Sequence, residues 1–174
     1  MISLVNSEDF FSRDYGEKFY ENRHRPVLVA VDLQTPANIG GLIRLAGNIG
    51  CQKVVFVGEP ENFSHKKVKR AAKNAFGRIP IVVSGRETWI SHIPEDYRIV
   101  ALETASGATD IYSSTLPDKI ALVVGSERYG LDDRILKACN SAIYIPMPGS
   151  TLSLNVVQAA GVALFEWFRQ QTRF

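Results

Sequence analysis

Short apolar runs rich in β-branched residues alternate along the chain with segments of helical periodicity, and this alternation constrains the fold more than any other feature. The runs are almost uniformly apolar, so we expect a sheet that is buried on both faces. The order predicts an α/β fold with a mostly parallel sheet covered by helices on both faces. The predicted strands are Pro26–Leu33, Lys53–Gly58, Ile79–Val83, Arg98–Leu102, Lys119–Val124 and Ala142–Ile145. The predicted helices are Phe10–Glu21, Ile39–Ile49, Lys66–Phe76, Glu87–His92, Asp132–Cys139 and Ser153–Gln170.

The length of 174 residues predicts one domain with a real core. The 45% hydrophobic and 22% charged residues are ordinary for a globular protein, so composition indicates no special class. No apolar run approaches the roughly 20 residues of a membrane span, and the acidic, aromatic N-terminus is not a secretory signal. We expect a helical arm over residues 1–24, a single domain over 25–174, and a cytoplasmic location.

The two cysteines, Cys51 and Cys139, lie far apart in no paired motif, which predicts free thiols in a reducing compartment. The three histidines are scattered without a Cys or carboxylate at ligand spacing. We therefore expect no metal site.

A cluster of cations follows the second predicted strand. Lys66, Lys69, Arg70 and Lys73 fall at i, i+3, i+4 and i+7, which places them on one face of a helix. Such a stripe is either a solvated helix face or a surface for a polyanion, which releases counterions when its phosphates are neutralised. RNA binding is the functional prediction for these four residues.

Three loop segments carry the candidate chemistry. The first is PANIGGLIR, from Pro36 to Arg44, between a strand and a helix. Asn38 suits a helix N-cap, and the two glycines leave room for a backbone or ligand. Six residues separate Asn38 from Arg44, and we expect both to point to roughly the same side. A plain cap and an ordinary surface arginine are the alternatives.

The second segment, GSERYGL, leaves the end of the apolar run IALVV at Gly125. Parallel α/β sheets bind ligands at the carboxyl ends of their strands. Glu127 is expected to hold a polar ligand group or brace Arg44, and a simple turn is the alternative.

The third segment, IPMPGSTLSLN, runs from Ile145 to Asn155 and opens the last helix. Its prolines and glycine hold the loop in an extended or turning form. Ser153 is expected to be the N-cap, with Asn155 inside the first turn. Met147 and Leu154 are interpreted either as an apolar slot for an adenine or thioether, or, for Met147, as core packing.

Together the segments resemble the three signature motifs of the SpoU/TrmH family within the SPOUT superfamily of methyltransferases. Asn38, Gly40 and Arg44 fit N-x-G-x-x-x-R. GSERYGL fits G-x-E-x-x-G-L, and residues 145–155 fit I-P-M-x-G-x-x-x-S-L-N. The resemblance runs from about residue 26 to 170, and Val157 and Gln158 depart from the family's usual residues after the last motif.

The resemblance implies a C-terminal trefoil knot, a homodimer, and transfer of a methyl group from S-adenosylmethionine to an RNA ribose 2′-hydroxyl. With only a short arm before the domain, the chain is more similar to tRNA-modifying members than to rRNA-modifying ones. By position, the residues implied to bind the cofactor are Leu102, Gly125, Ile145, Met147, Ser153 and Leu154. Those implied to serve catalysis are Arg44, Asn38, Glu127, Ser153 and Asn155.

Arg44 is regarded as the catalytic residue of the family. A guanidinium is a very poor base, so we expect Arg44 to bind a phosphate or the ribose and to stabilise the developing alkoxide. The rival interpretations are the same chemistry on rRNA, and a non-catalytic RNA-binding assembly factor with the same fold. A dinucleotide oxidoreductase and a serine hydrolase fail because their own motifs are absent.

Overall fold

The computed structural model of the protein describes residues 7, 11, 15–58 and 66–172. The helices are α1 (Tyr15–Tyr20), α2 (Pro36–Ile49), α3 (Lys66–Ala72), α4 (Asp133–Ala138) and α5 (Val156–Gln171). The strands are β1 (Val27–Val31), β2 (Lys53–Val57), β3 (Ile81–Ser84), β4 (Arg98–Leu102), β5 (Thr109–Asp110), β6 (Ile120–Val124) and β7 (Ser141–Tyr144). Short 3-10 helices span Lys73–Ala75 and Trp89–His92.

The seven strands form one sheet in the order β3-β2-β1-β6-β4-β7-β5. Every pair of neighbouring strands is parallel, as the alternation of strands and helices predicts. All carboxyl ends therefore meet at one edge, where β1, β6 and β4 lie side by side. The trefoil knot is not determined by strand order and stays a prediction.

Helices cover both faces of the sheet, and the strand residues alternate between the two cores. Leu28 and Ala30 of β1 pack with α2, α3 and α5, whereas Val27 and Val29 face the opposite core. That second core is completed by Trp89 of a 3-10 helix and by residues of α4. The prediction of a single α/β domain covered on both faces is confirmed.

Most element ends lie within two or three residues of the predicted ones, and two differences are informative. Strand β5 was not predicted, because two residues carry no periodicity. The predicted helix from Lys66 to Phe76 ends at Ala72 and continues as a 3-10 turn, with Lys73 at a φ of 49°. None of the described helices is long and apolar enough to cross a membrane.

The described part of the predicted N-terminal arm packs on the domain. Phe19 is buried, and its ring centroid lies 4.7 Å from that of Phe168 on α5. Tyr20 donates a hydrogen bond to the carbonyl oxygen of Ile49 at the end of α2. Residues 1–6, 8–10 and 12–14, over which the arm was also predicted, lie outside the described residues. Helix α1 therefore belongs to the same packed body as α2 and α5.

Helices α2 and α3 approach each other closely at Gly40. A β-carbon there would lie 2.5 Å from the carbonyl oxygen of Val68 and 2.6 Å from the β-carbon of Ala71. The first glycine of PANIGGLIR is thus required by contact with a backbone. A β-carbon on Gly41 would lie 2.9 Å from the side-chain Cγ2 of Val157 in α5. These glycines set the positions of α3 and α5 around α2, and neither lines the cavity described below.

Overpacking a rigid contact costs about 1–3 kcal/mol, and we expect the upper part of this range because the contacting atom is a backbone oxygen. Alanine gains roughly 1 kcal/mol over glycine within a helix, so Gly40→Ala should lower the free energy of unfolding by a net amount of about 1–2 kcal/mol. The matched control is Gly161→Ala in α5, where the nearest atom would be Leu45 Cδ1 at 3.9 Å. Urea unfolding should show the control at or above wild-type stability, and a Gly40→Ala protein equally stable would contradict the close contact.

Candidate active site

A chain of hydrogen-bonded polar side chains joins three loops at the carboxyl edge of the sheet. Asn38 Nδ2 donates to Glu127 Oε1 at 2.8 Å, and Asn155 Nδ2 donates to Asn38 Oδ1 at 3.0 Å. The Glu127 carboxylate also accepts the backbone N–H groups of Thr35, at 3.1 Å, and Gln34, at 3.4 Å. One residue from each of the three motifs takes part, so the motifs converge in space.

The hydrogen bonds also determine the charge of Glu127. Partial desolvation on its own would raise the pKa of this carboxyl. The donors, Asn38 and the N–H of Thr35 among them, outweigh that effect and hold the pKa below its ordinary value. Glu127 is therefore ionised at neutral pH and acts as an acceptor only.

The structure corrects the N-cap predictions at both helices. The N-cap of α2 is Thr35, followed by Pro36, and Asn38 is buried inside the first turn. Proline fits this position because its missing N–H would have no intrahelical partner. In α5 the N-cap is Asn155, whose side chain accepts the N–H of Val157 at 2.9 Å, while Ser153 lies exposed in the preceding loop. Both asparagines thus connect loops through their amide groups.

A cavity of about 240 Å³ opens beside this network, between the ends of β4 and β6 and the loop that precedes α5. All six residues implied to bind a cofactor line it, which brings together positions 52 residues apart in the sequence. Met147 is half-buried and lines the cavity, so it is not a residue of the closed core. The shared lining residues are Leu102, Gly125, Ile145, Met147, Ser153 and Leu154.

Glu103, which the sequence interpretation missed, also lines the cavity and fixes the loop after β6. Its Oε2 accepts the N–H of Leu131 at 2.9 Å. A β-carbon on Gly130, where φ is 64°, would lie 2.3 Å from the same oxygen. Gly125 is as constrained, since its β-carbon would lie 2.2 Å from the carbonyl carbon of Gly130. Glu103 directly follows β4, so the carboxyl-end rule that indicated Gly125 could have found it.

Arg44 is exposed and does not line the cavity. The expectation that Asn38 and Arg44 point to the same side is wrong. Six residues turn an α-helix so that the two side chains lie about 120° apart around its axis. Nor does Glu127 or Asn38 brace Arg44, because their hydrogen bonds go to each other, to the α2 entry and to Asn155.

The two cysteines lie outside this arrangement. Both thiols are free, and burial raises the pKa of Cys51 to about 12 and that of Cys139 to about 11. Neither is therefore an activated nucleophile. In the part of the chain that the structure describes, no three His, Cys, Asp or Glu side chains are grouped so as to hold a metal ion.

The sequence profile of the SpoU rRNA methylase family matches residues 25–165. The chain belongs to this family. The match covers all three motifs, β1 to β7 and most of α5, and begins just after α1. The resemblance found from the motifs is confirmed.

Two curated relatives of the chain carry the same enzyme name. The 23S rRNA (guanosine-2′-O-)-methyltransferase RlmB of Haemophilus influenzae is 32% identical, over 98% of this chain and 71% of its own length. The enzyme of the same name from Xylella fastidiosa is 34% identical, over 84% of this chain and 59% of its own length. The chain is therefore shorter than these rRNA methyltransferases.

Solved structures share the fold. The AdoMet-bound rRNA methyltransferase of Sinorhizobium meliloti superposes with a TM-score of 0.79 at 26% identity, covering 85% of this chain and 57% of that one. A protein described in connection with 2′-OH methylation of C/U34 on tRNA gives a TM-score of 0.78 at 28% identity. That match covers 86% of this chain and 97% of the other. The SpoU fold seen here thus accounts for nearly all of one tRNA-related chain.

Proposed function

We propose that this SpoU-family chain transfers the methyl group of S-adenosylmethionine to a ribose 2′-hydroxyl of RNA, and that its RNA is a tRNA. The observation that carries the proposal is the hydrogen-bonded chain of Glu127, Asn38 and Asn155 beside one cavity. It assembles all three family motifs at the edge of the sheet where such folds bind ligands. The methyl transfer itself is the chemistry named for the relatives.

The lining of the cavity fits S-adenosylmethionine. Leu102, Ile145, Met147 and Leu154 offer apolar walls for an adenine ring and a thioether. Glu103 offers a carboxylate at the end of β4 that can accept hydrogen bonds from ribose hydroxyls, in addition to the backbone N–H groups it already holds. The cofactor supplies a methyl group that is already activated, so the protein must mainly position the two reactants.

The 2′-hydroxyl must still lose its proton as its oxygen attacks. Among the described residues lining the cavity there is no His or Cys, and the lowered pKa of Glu127 makes it a weak base. We assign Arg44 to the ribose or its neighbouring phosphate, where it stabilises the developing alkoxide. Glu127, Asn38 and Asn155 position the loops, and Ser153 contacts substrate or cofactor.

Arg44 does not line the cavity of its own chain. For Arg44 to contact a substrate at such a cavity, a cavity from another part of the assembly must lie beside it. A homodimer that places α2 of one copy against the cavity of the other satisfies this requirement. We therefore propose a homodimer, to be tested by sedimentation equilibrium. The free thiols and an RNA substrate fit a cytoplasmic location.

The stripe of cations on α3 is proposed to contact the RNA backbone. Lys66, Lys69 and Arg70 are exposed on the helix, as is Lys73 in the 3-10 turn. The buried Val68 and Ala72 attach the opposite side of α3 to the core. The positive charge therefore faces outwards beside α2, the helix that carries Arg44.

Replacing Lys66, Lys69, Arg70 and Lys73 by alanine should flatten the salt dependence of RNA binding. We expect the slope of log K against log salt to fall by roughly 3 if all four contact phosphates. The control is Arg98→Ala with Lys137→Ala, two exposed cations on other elements. Filter binding of unfractionated tRNA between 50 mM and 200 mM salt measures both slopes. An unchanged slope for the fourfold variant would make α3 an ordinary solvated helix.

A tRNA substrate is proposed because a structure described in connection with methylation of C/U34 on tRNA shares this fold, with a TM-score of 0.78 at 28% identity. The curated relatives named as 23S rRNA methyltransferases make rRNA the rival substrate. Incubation with radiolabelled S-adenosylmethionine and either unfractionated tRNA or 23S rRNA distinguishes the two, followed by mass mapping of the labelled nucleoside. Label on rRNA alone would contradict the tRNA assignment, and label on neither RNA would favour a non-catalytic RNA-binding protein.

A further inference from the structure

A second cavity, of about 290 Å³, lies directly beside the first. Neither cofactor binding nor contact with the RNA backbone has been assigned to it. The two cavities share Ser126, Glu127 and Gly130, so only the turn after β6 separates them. Arg128 and Tyr129, two of the three variable positions of the second motif, form part of its wall. A molecule that reacts at the first cavity can thus extend into the second.

Tyr129 is 77% exposed, more than any other large apolar or aromatic side chain that the structure describes. The turn that presents it is firmly held. The backbone N–H of Tyr129 donates to Ser126 Oγ at 3.2 Å, and Ser126 and Gly130 exchange backbone hydrogen bonds at 3.1 and 3.2 Å. An aromatic ring held on a fixed turn loses little conformational entropy when a flat ligand stacks on it.

The guanidinium of Arg128 lies 5.1 Å from the centroid of the Tyr129 ring. The guanidinium therefore lies over one face of the ring in a cation–π contact, and the other face is left for a flat ligand next to this positive charge. Nucleotides carry the complementary pair, a flat base and a phosphate. Both residues are exposed, so neither group has to leave a buried contact in order to bind.

The opposite wall of this cavity carries one cation held between two carboxylates, so it offers no free positive charge to a phosphate. Arg86 forms ion pairs with Asp32 and with Asp132, the N-cap residue of α4. These pairs join the loop after β1 to the start of α4. The unpaired cation of this cavity, within the described residues, is therefore Arg128. A phosphate is expected at the outer turn, with the base between Tyr129 and the ion-paired wall.

We propose that the second cavity is the subsite for a nucleobase of the RNA, with Tyr129 stacking on the base and Arg128 contacting the adjacent phosphate. The inference rests on the proposed function, because it is the transfer to a ribose that requires a nucleotide beside the first cavity. It also assigns roles to two positions that the family motif leaves open. Stacking tolerates any base, so the subsite holds a nucleotide without reading its identity.

The experiment uses a single-stranded RNA of ten uridines with one central 2-aminopurine, whose fluorescence is quenched by stacking. Wild-type protein should bind it and quench it. Tyr129→Ala should weaken binding by between 5-fold and 150-fold, roughly the range for loss of one base–aromatic stack, and should lose most of the quench. Tyr129→Phe, which keeps the ring, should stay near wild type. Arg128→Ala should reduce the slope of log K against log salt by about one unit, and the fluorescence of the bound RNA should stay quenched.

Two controls separate this inference from folding and from the proposed function. S-adenosylmethionine binding by calorimetry should be unchanged in Tyr129→Ala, which shows that the first cavity is intact. Tyr112→Ala removes another exposed aromatic, 57% exposed and in neither cavity, and should bind and quench like wild type. The subsite is wrong if Tyr129→Ala binds and quenches like wild type, or if wild type methylates RNA without quenching the probe. If the wild-type protein quenches the 2-aminopurine probe but methylates neither tRNA nor 23S rRNA, only the proposed function is overturned.

Discussion

Arg44→Ala is expected to slow methyl transfer by at least about a hundredfold while S-adenosylmethionine binds with unchanged affinity. Removing one group that stabilises a developing oxyanion costs about 10²–10³ in rate. The cofactor affinity should not change, because Arg44 is exposed and does not line the cavity that fits the cofactor. Single-turnover transfer to tRNA and calorimetry with S-adenosylmethionine measure the two effects separately.

The controls for this variant use the same residue type. Arg98→Ala removes another exposed arginine, at the amino end of β4 and so at the opposite edge of the sheet, and should transfer at the wild-type rate. Arg44→Lys keeps the charge but loses the planar fork that contacts two oxygens at once, so we expect an intermediate rate. Methyl transfer by Arg44→Ala within a few-fold of wild type would remove Arg44 from the reaction.

The fold could be predicted from the sequence where packing alone decides it. Strands β1 and β6 are buried along their whole length, and such strands appear in the sequence as unbroken apolar runs. Gly50 ends α2 in the left-handed conformation, with a φ of 78°, as its place after the helical pattern predicts. Strand β5 depends on pairing with β7 alone and leaves no pattern of its own.

The residues of the site could be named from the motifs, but their partners could not. The local sequence predicts that Asn38 is a helix cap, because it shows the nearest backbone N–H groups and gives no sign of a carboxylate 89 positions away. Its true partners, Glu127 and Asn155, are brought to it by the parallel order of β1 and β6 and by the start of α5. The partner of Glu103 and the ion pairs of Arg86 cannot be predicted for the same reason, since each contact joins loops that are distant in the chain.

The second large effect is expected at Glu127, the acceptor shared by the entry of α2 and by Asn38. Glu127→Ala should abolish measurable transfer and lower the free energy of unfolding by about 1–2 kcal/mol. A hydrogen bond to a charged group contributes up to about 3 kcal/mol, and the value is reduced here because the carboxylate is partly solvated. The buried amide of Asn38 is left without its acceptor, so the first turn of α2, which carries Asn38, loses its fixed position.

This stabilisation has a defined pH dependence. The pKa of Glu127 is lower in the folded protein than its ordinary value of 4.5, so folding favours the ionised carboxylate. Its contribution is fully present above about pH 4.5 and is lost as the pH falls through the lower, folded-state pKa. The difference in unfolding free energy between wild type and Glu127→Ala should therefore be constant from pH 5 to 8 and shrink towards pH 3.

Urea unfolding at pH 7 and at pH 3.5 measures this difference, and other carboxylates cancel because they titrate in both proteins. Glu95→Ala, at an exposed glutamate outside both cavities, should change stability little at either pH. Glu127→Gln keeps the shape and one acceptor oxygen for Asn38 and Thr35, but it presents an amide N–H₂ to the N–H of Gln34, so we expect a rate of transfer between those of wild type and Glu127→Ala. A stability difference that is equally large at pH 3.5 would show that shape, and not the ionised carboxylate, holds the three motifs together.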